Sequence, residues 1–248
     1  MFPLFASGRS IAYSLLAALL PACLLPTASF AEVLVGSAAG VRQLVDEAVE
    51  HFKDSKGVVV SASYSSSGKL FQQILSGAPF DVFVSAHPSW VDRLEKGGVK
   101  LLRRDWAELD TVVWSVKEGF GRISSVLEGK GVYATVDPSV GPSGEMAVKF
   151  LKDRGVYEDL ISRKRLVFLP DTTRVVLAVR SGAVDGALLA AVAVRSLEGE
   201  SEVLPGYSLV ATVALLSLEK EEARSFFDFM FSKSFRVSLI KLGARPLF

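Results

Sequence analysis

From Glu32 onward the chain alternates between two hydrophobic periods. "EVLVGSA" and "VVVSASY" are short extended runs, whereas Val41, Leu44, Val45, Ala48, Val49 and Phe52 recur at the three-to-four spacing of one helical face. The same alternation predicts a helix over Lys69–Leu75 with Leu70, Phe71, Ile74 and Leu75 inward, then a strand at "DVFVSA". A helix carrying Trp90, Val91 and Leu94 follows and stops at Gly97-Gly98. Extended chain resumes at "TVVWSV" (111–116). "GVYATVDPSVGPSGEMAVKFLKDRG" is again strand, turn and helix, with Met146, Ala147, Phe150 and Leu151 on the inner side. "KRLVFL", a helix around Thr173 to Arg180, "GALLAAVAV", a polar break from Leu197 to Glu202 and a returning strand "YSLVATVALL" complete this second unit, and two Phe-rich helices end the chain.

Strand-helix alternation of this kind predicts an α/β fold with a mostly parallel sheet covered on both faces. The order of elements suggests two lobes joined by at least two crossings. Lobe one takes residues 32–112 plus 208–248, and lobe two takes residues 113–207. A cleft between the lobes, lined by strand-to-helix turns, is then the expected ligand site, and hinge closure around a small ligand is the expected motion.

Before Glu32 the pattern changes in kind. Arg9 is the only charge ahead of the apolar stretch Ile11–Leu25, and "TASFA" ends at Ala31 with small residues at Ser29 and Ala31. This three-part layout predicts a secretory signal peptide over residues 1–31, and a mature chain in the periplasm or on the extracytoplasmic face. The apolar stretch is short for a bilayer span and holds Pro21, so a retained anchor is disfavoured. Cys23, the only cysteine of the 248 residues, admits a second reading: "LPAC" is similar to a lipoprotein cleavage site and would make it the lipidated first residue. Cleavage after Ala31 instead leaves a mature chain without thiol chemistry.

Charge narrows the function classes. The chain has 28 Lys plus Arg against 27 Asp plus Glu, interspersed rather than blocked, so no basic footprint for nucleic acid is expected. The two histidines, His51 and His87, belong to no metal-spaced motif, and no nucleophile elbow or nucleotide-binding loop is present. What remains are three Ser/Gly turns at helix starts: "GSAAG" from Gly36, "SSSG" from Ser65 and "GPSG" from Gly141. Helix starts expose unpaired N–H groups and a partial positive charge, so several converging on a cleft would hold an oxyanion without Lys or Arg. Each serine taken singly is better explained as an ordinary N-cap; it is the occurrence of three such turns in a neutral protein that favours the anion reading.

The stretch "SSSGKLFQQILSGAPFDVFVSA" with "DPSVGPSG", "VRSGAVDGALL" and "FFDFMFSKSFRVSLIKLG" resembles the periplasmic molybdate-binding proteins of ABC transporters. The resemblance extends from Val33 to Gly243. It implies a two-lobed periplasmic-binding-protein-like fold and a cleft for molybdate or tungstate. It also implies delivery to a membrane permease driven by a cytoplasmic ATPase, with no cofactor and no catalysis, and a monomer is expected. Carried over position by position, it makes Ser67 a side-chain donor, Ala86 and Ser143 backbone donors with a hydroxyl added at Ser143, and Thr173 a backbone donor, with Asp171 or Thr172 as alternatives. Gly40 and Leu189 stand where the family carries a serine and a tyrosine; Ser37, Ser66 and Ser143 are the hydroxyls available to compensate. Asp81 and Asp137 are expected to fasten turns rather than face an anion. The rivals are capture of another small oxyanion, a secreted serine hydrolase using His87, and a sensor built on the same fold.

Overall fold

The two periods fold into one mixed sheet and its covering helices in the computed structural model, which describes residues 32–248; the signal-peptide and Cys23 readings concern residues outside those described. The first unit runs β1 (Glu32–Ala38), a 3-10 turn at Ala39–Val41, α1 (Arg42–Lys56), β2 (Val59–Ser65), α2 (Ser67–Leu75), β3 (Val82–Ser85) and α3 (Pro88–Lys96). β4 (Leu102–Ser115) leads out to α4 (Ile123–Leu127), β5 (Tyr133–Val136), α5 (Pro142–Asp153), α6 (Tyr157–Ser162), β6 (Leu166–Leu169), α7 (Thr172–Arg180) and β7 (Gly186–Ala190). A second 3-10 turn at Ala191–Ala193 and the long β8 (Glu200–Leu215) return the chain to α8 (Glu221–Met230), α9 (Lys233–Lys241) and the short β9 (Arg245–Pro246).

The sheet order is β2-β1-β3-β8-β4-β7-β5-β6, with β9 beside β4. It is not mostly parallel, as the alternation suggests. β1 pairs parallel with β2 and β3, and β5 with β6 and β7, but the middle of the sheet is antiparallel through β3-β8-β4-β7. The reason is that β4 and β8 carry the chain in opposite directions between the lobes. Both are longer than the sequence pattern indicates: β4 begins at Leu102 rather than Thr111, and β8 takes in Glu200–Glu202, where a polar break is expected.

Four apolar clusters cover the two ends of this sheet on both faces. Around β1, β3 and β8, Phe52, Trp106, Phe226, Phe227 and Phe235 fill the side under α1, α8 and α9, while Leu70, Phe83, Trp90 and Leu94 fill the side under α2 and α3. Around β5 and β7, Val112, Trp114, Val175 and Leu189 pack under α7, and Tyr133, Phe150, Leu151 and Leu188 pack under α5 and α6. Burying each large side chain contributes about 1.5–3 kcal/mol. The buried Trp106 also satisfies its indole by donating Nε1–H to the Met230 carbonyl at 2.8 Å.

Candidate functional site

β2, β5 and β6 each end in a tight turn that starts a helix. At α2, Ser66 is extended, and its Oγ accepts the Lys69 N–H at 3.4 Å as an N-cap. At α5, Pro142 occupies the first turn, where a missing N–H costs nothing. At α7, Asp171 caps through Oδ1, which accepts the Arg174 N–H at 3.0 Å. These three starts, the end of β1 with its 3-10 turn, and Ala86 after β3 face one another. Between them is a small cavity whose walls include Ala38, Gly40, Ser66, Ser67, Ala86, Ser143, Asp171 and Thr172. Only about 10 Å³ of it is open to the centre of a water-sized sphere, roughly the room of one water, so the cavity is far too small for a drug-sized ligand.

Its chemistry is that of a donor shell. Ser67 is fully buried, and its Oγ accepts the Ala86 N–H at 3.2 Å, so its own proton is left to donate into the cavity. Ser143 and Thr172 are 3% and 5% exposed, and neither hydroxyl hydrogen-bonds to any other described residue. The first-turn N–H groups of Ser67, Ser143 and Thr172 lack intrahelical acceptors and sit at positive dipole ends. Among the described residues no Lys or Arg lines the cavity. Its one carboxylate, Asp171, is committed to capping α7 and lies 3.6 Å from Arg174 Nε. Uncharged donors at three helix starts are chemistry that could hold an anion.

The two lobes meet beside the cavity. The Gly68 N–H, in the first turn of α2, donates to the Val140 carbonyl ahead of α5 at 2.9 Å. A Cβ on Gly68 would meet the Val140 Cα and O and the Trp90 ring, each at 2.9 Å. The lobes therefore touch through bare backbone at this point.

Of the residues singled out in the sequence, Gly40, Ser67, Ala86 and Ser143 line the cavity. Thr173 does not: it is exposed and borders a neighbouring groove with Arg42 and Gln43, and Thr172 is the residue on the cavity wall. Ser37 is buried within β1, where its Oγ donates to the Ala38 carbonyl at 3.3 Å, and it is absent from the wall. Leu189 is buried in the lobe-two core. The walls at Ala38, Ala39 and Val136 carry no side-chain signal that sequence reasoning could have used, whereas Ser65 belongs to the "SSSG" turn. His87 caps α3, its Nδ1 accepting the Ser89 N–H at 3.2 Å, and its ring bonds to none of the cavity serines. His51 sits on α1, 3.4 Å from Glu47.

The two turn carboxylates are fasteners. Asp81 Oδ2 accepts the Leu34 N–H at 2.8 Å and the Lys220 ammonium at 2.7 Å. Burial pushes its carboxyl up, but the Lys220 and Leu34 bonds outweigh this and hold it below the usual carboxylate range. Asp137 Oδ1 accepts both the hydroxyl and the N–H of Ser139, at 2.7 and 2.8 Å, which lowers its carboxyl as well.

Residues 33–243 match the family of bacterial extracellular solute-binding proteins. The molybdate-binding protein ModA of Azotobacter vinelandii is 31% identical over 136 residues, 53% of this chain and 54% of that protein; the chain thus spans about half the length of the curated relatives it matches. Among solved structures, the periplasmic molybdate-binding protein of Azotobacter vinelandii superposes with a TM-score of 0.80 at 24% identity, over 86% of this chain and 98% of that one. The sulfate-binding protein SubI of Mycobacterium tuberculosis H37Rv superposes at 0.67 with 15% identity, over 88% of this chain and 87% of that one. At these identities the two structures establish the two-lobed fold and no more. With a family match running over nearly all the described residues, the chain belongs to the bacterial extracellular solute-binding proteins, a non-catalytic, extracytoplasmic family, and is homologous to its ModA-type molybdate-binding members.

Proposed function

We propose that this protein captures molybdate or tungstate outside the cytoplasm and delivers it to an ABC permease driven by a cytoplasmic ATPase. The observation that carries this reading is the convergence of three helix starts and the Ser67, Ser143 and Thr172 side chains on one small cavity without a lysine or arginine. A dianion in such a shell is held by charge-assisted hydrogen bonds, each worth about 1.5–3 kcal/mol, and by dipoles that need no reorganisation. Sulfate has the same charge and shape, so rejection of it rests on cavity size. Release requires parting the lobes at the Gly68–Val140 contact.

A second reading, capture of another small oxyanion, is favoured by Gly40 on the wall and Leu189 in the core, which remove two side-chain donors implied by the resemblance. Calorimetric titration of the mature protein with molybdate, tungstate, sulfate, phosphate and chromate separates the two. Heat with the first two, and a raised unfolding midpoint, is the expected result. Silence with both, and a response to sulfate or phosphate alone, would replace the first reading by the second.

A further inference from the structure

We propose that Thr172 contacts the bound anion through its hydroxyl, and that Gly40 keeps open the space in which that hydroxyl works; the pairing rests on the oxyanion reading above. A Cβ placed on Gly40 would lie 3.3 Å from Thr172 Oγ1 and 3.9 Å from Ser143 Oγ. Hydroxyls from α7 and α5 therefore converge over the bare backbone of the first 3-10 turn.

The glycine is not there for the backbone. Gly40 is not among the residues with positive φ, so any L-residue could adopt its conformation, and only space distinguishes it. The separation of 3.3 Å is tighter than ordinary van der Waals contact, so even a methyl group at position 40 would press on the Thr172 hydroxyl and narrow the cavity.

The threonine, in turn, has no structural duty that would use its oxygen. Asp171 already caps α7, whereas Ser66 and Ser232, which lack such a neighbour, spend their hydroxyls on capping. Thr172 is 5% exposed, and its Oγ1 bonds to no described residue. The oxygen is not one of the fully buried polar atoms left without a partner among the described residues; it opens onto the cavity, where an anion oxygen can accept its proton. The β-branch also restricts the side chain to few rotamers, so the O–H is held towards the cavity in advance. The chemistry recognised is one oxygen of a tetrahedral oxyanion, seated between the Gly40 backbone and the Thr172 and Ser143 hydroxyls.

The test compares Thr172→Val, Thr172→Ser and Gly40→Ala with the wild-type protein. Each is titrated with molybdate, tungstate and sulfate, and each has its unfolding midpoint measured without anion. Thr172→Val preserves shape and removes the donor, so affinity for whichever anion the wild type binds best should fall at least about tenfold with the midpoint held. Thr172→Ser should stay within about threefold of wild type, since the hydroxyl remains. Gly40→Ala should weaken molybdate and tungstate more than the smaller sulfate. Wild-type binding matched by Thr172→Val would overturn the role of the hydroxyl. Equal effects of Gly40→Ala on all three anions would overturn the role of the space. A wild-type protein that binds sulfate alone and loses it in Thr172→Val would refute the molybdate reading while supporting this contact, and a wild type that takes up none of the anions overturns both.

Discussion

Gly68→Ala puts the lobe contact itself under strain. The added methyl would stand 2.9 Å from the Val140 Cα and O and from Trp90 Cη2, against an optimum of roughly 3.5–4.0 Å between carbons. Overpacking of this kind costs about 1–3 kcal/mol. The backbone of Val140 cannot move aside alone, because the Val140 N–H is tied to the Asp137 carbonyl at 3.1 Å. Parting the lobes relieves the two Val140 contacts and gives up the 2.9 Å bond from the Gly68 N–H to the Val140 carbonyl, whereas the Trp90 contact lies within lobe one and persists in either arrangement. The Val140 share of the cost falls on the closed arrangement, so anion affinity should drop, by up to about 150-fold if that share is the whole of roughly 3 kcal/mol; the Trp90 share falls on the stability of lobe one. Within α2 the substitution acts in the opposite direction, since alanine in place of a helical glycine is worth roughly 0.5–1 kcal/mol. Calorimetry on the best-bound anion, paired with thermal unfolding without anion, reads the two shares separately: a weaker Kd reports the Val140 contact, and any fall of the midpoint reports the Trp90 contact. Wild-type affinity in Gly68→Ala would show that this rim contact is not made in the ligand-holding arrangement. A lowered midpoint with unchanged Kd would make Gly68 a packing residue of α2 alone.

Ser67→Ala removes both a cavity donor and the acceptor of the Ala86 N–H. Affinity should fall at least about tenfold, and the orphaned amide should cost about 1–3 kcal/mol, read as a midpoint lower by roughly 2–4 °C per kcal/mol; a change in only one of the two readouts would refute the double role. Asp81 supplies a pH test. Its carboxyl is held below its unfolded value, so its ion pair with Lys220 stabilises fully above the unfolded carboxylate range and is lost as pH falls through the lowered folded value. Asp81→Asn keeps an acceptor for Leu34 but not the charge, so it should lower the midpoint at neutral pH, with the gap to wild type closing in acid. A gap independent of pH would exclude the ion pair as the cause.

Most elements are legible from periodicity because their apolar faces are continuous, as in α1 and β1. The first half of β4 is not, because "LRRDWAELD" scatters charges along a strand. Those charges find partners mostly outside the strand: Arg103 against Asp92 and Glu95, and Glu108 and Asp110 against Arg245. The polar start of β8 hides for the same reason, since Glu200 and Glu202 accept the Gly119 and Ile123 N–H groups at 2.9 and 2.7 Å. α4 and α6 are one or two turns long, too short to show a period.

At the site, the helix starts are legible but their division of labour is not. Three consecutive serines leave the cap unassigned, and only the fold shows Ser66 capping α2 while Ser67 turns to the cavity. "DTT" leaves a one-residue ambiguity that the Asp171 cap resolves by fixing the phase of α7, which puts Thr172 inward and Thr173 outward. Gly40 appears in the sequence only as a missing hydroxyl; what its bare backbone makes room for depends on α5 and α7, which are distant in sequence.

β4 and β8 pair without leaving the sheet from Leu102–Leu215 to Ser115–Glu200, broken only by irregularities near Asp105–Ala107 and Asp110–Val112. A two-stranded ribbon shared in this way behaves as a torsion spring rather than as a pair of slack tethers: it can twist at its irregular points but cannot let one half drift from the other. It also denies the protein any clean seam for recombination. A graft that exchanged the distal half for that of a relative would have to cut both strands inside their ladder and match register and twist at each cut, so workable exchanges in this scaffold are confined to the helix-bearing turns around the cavity.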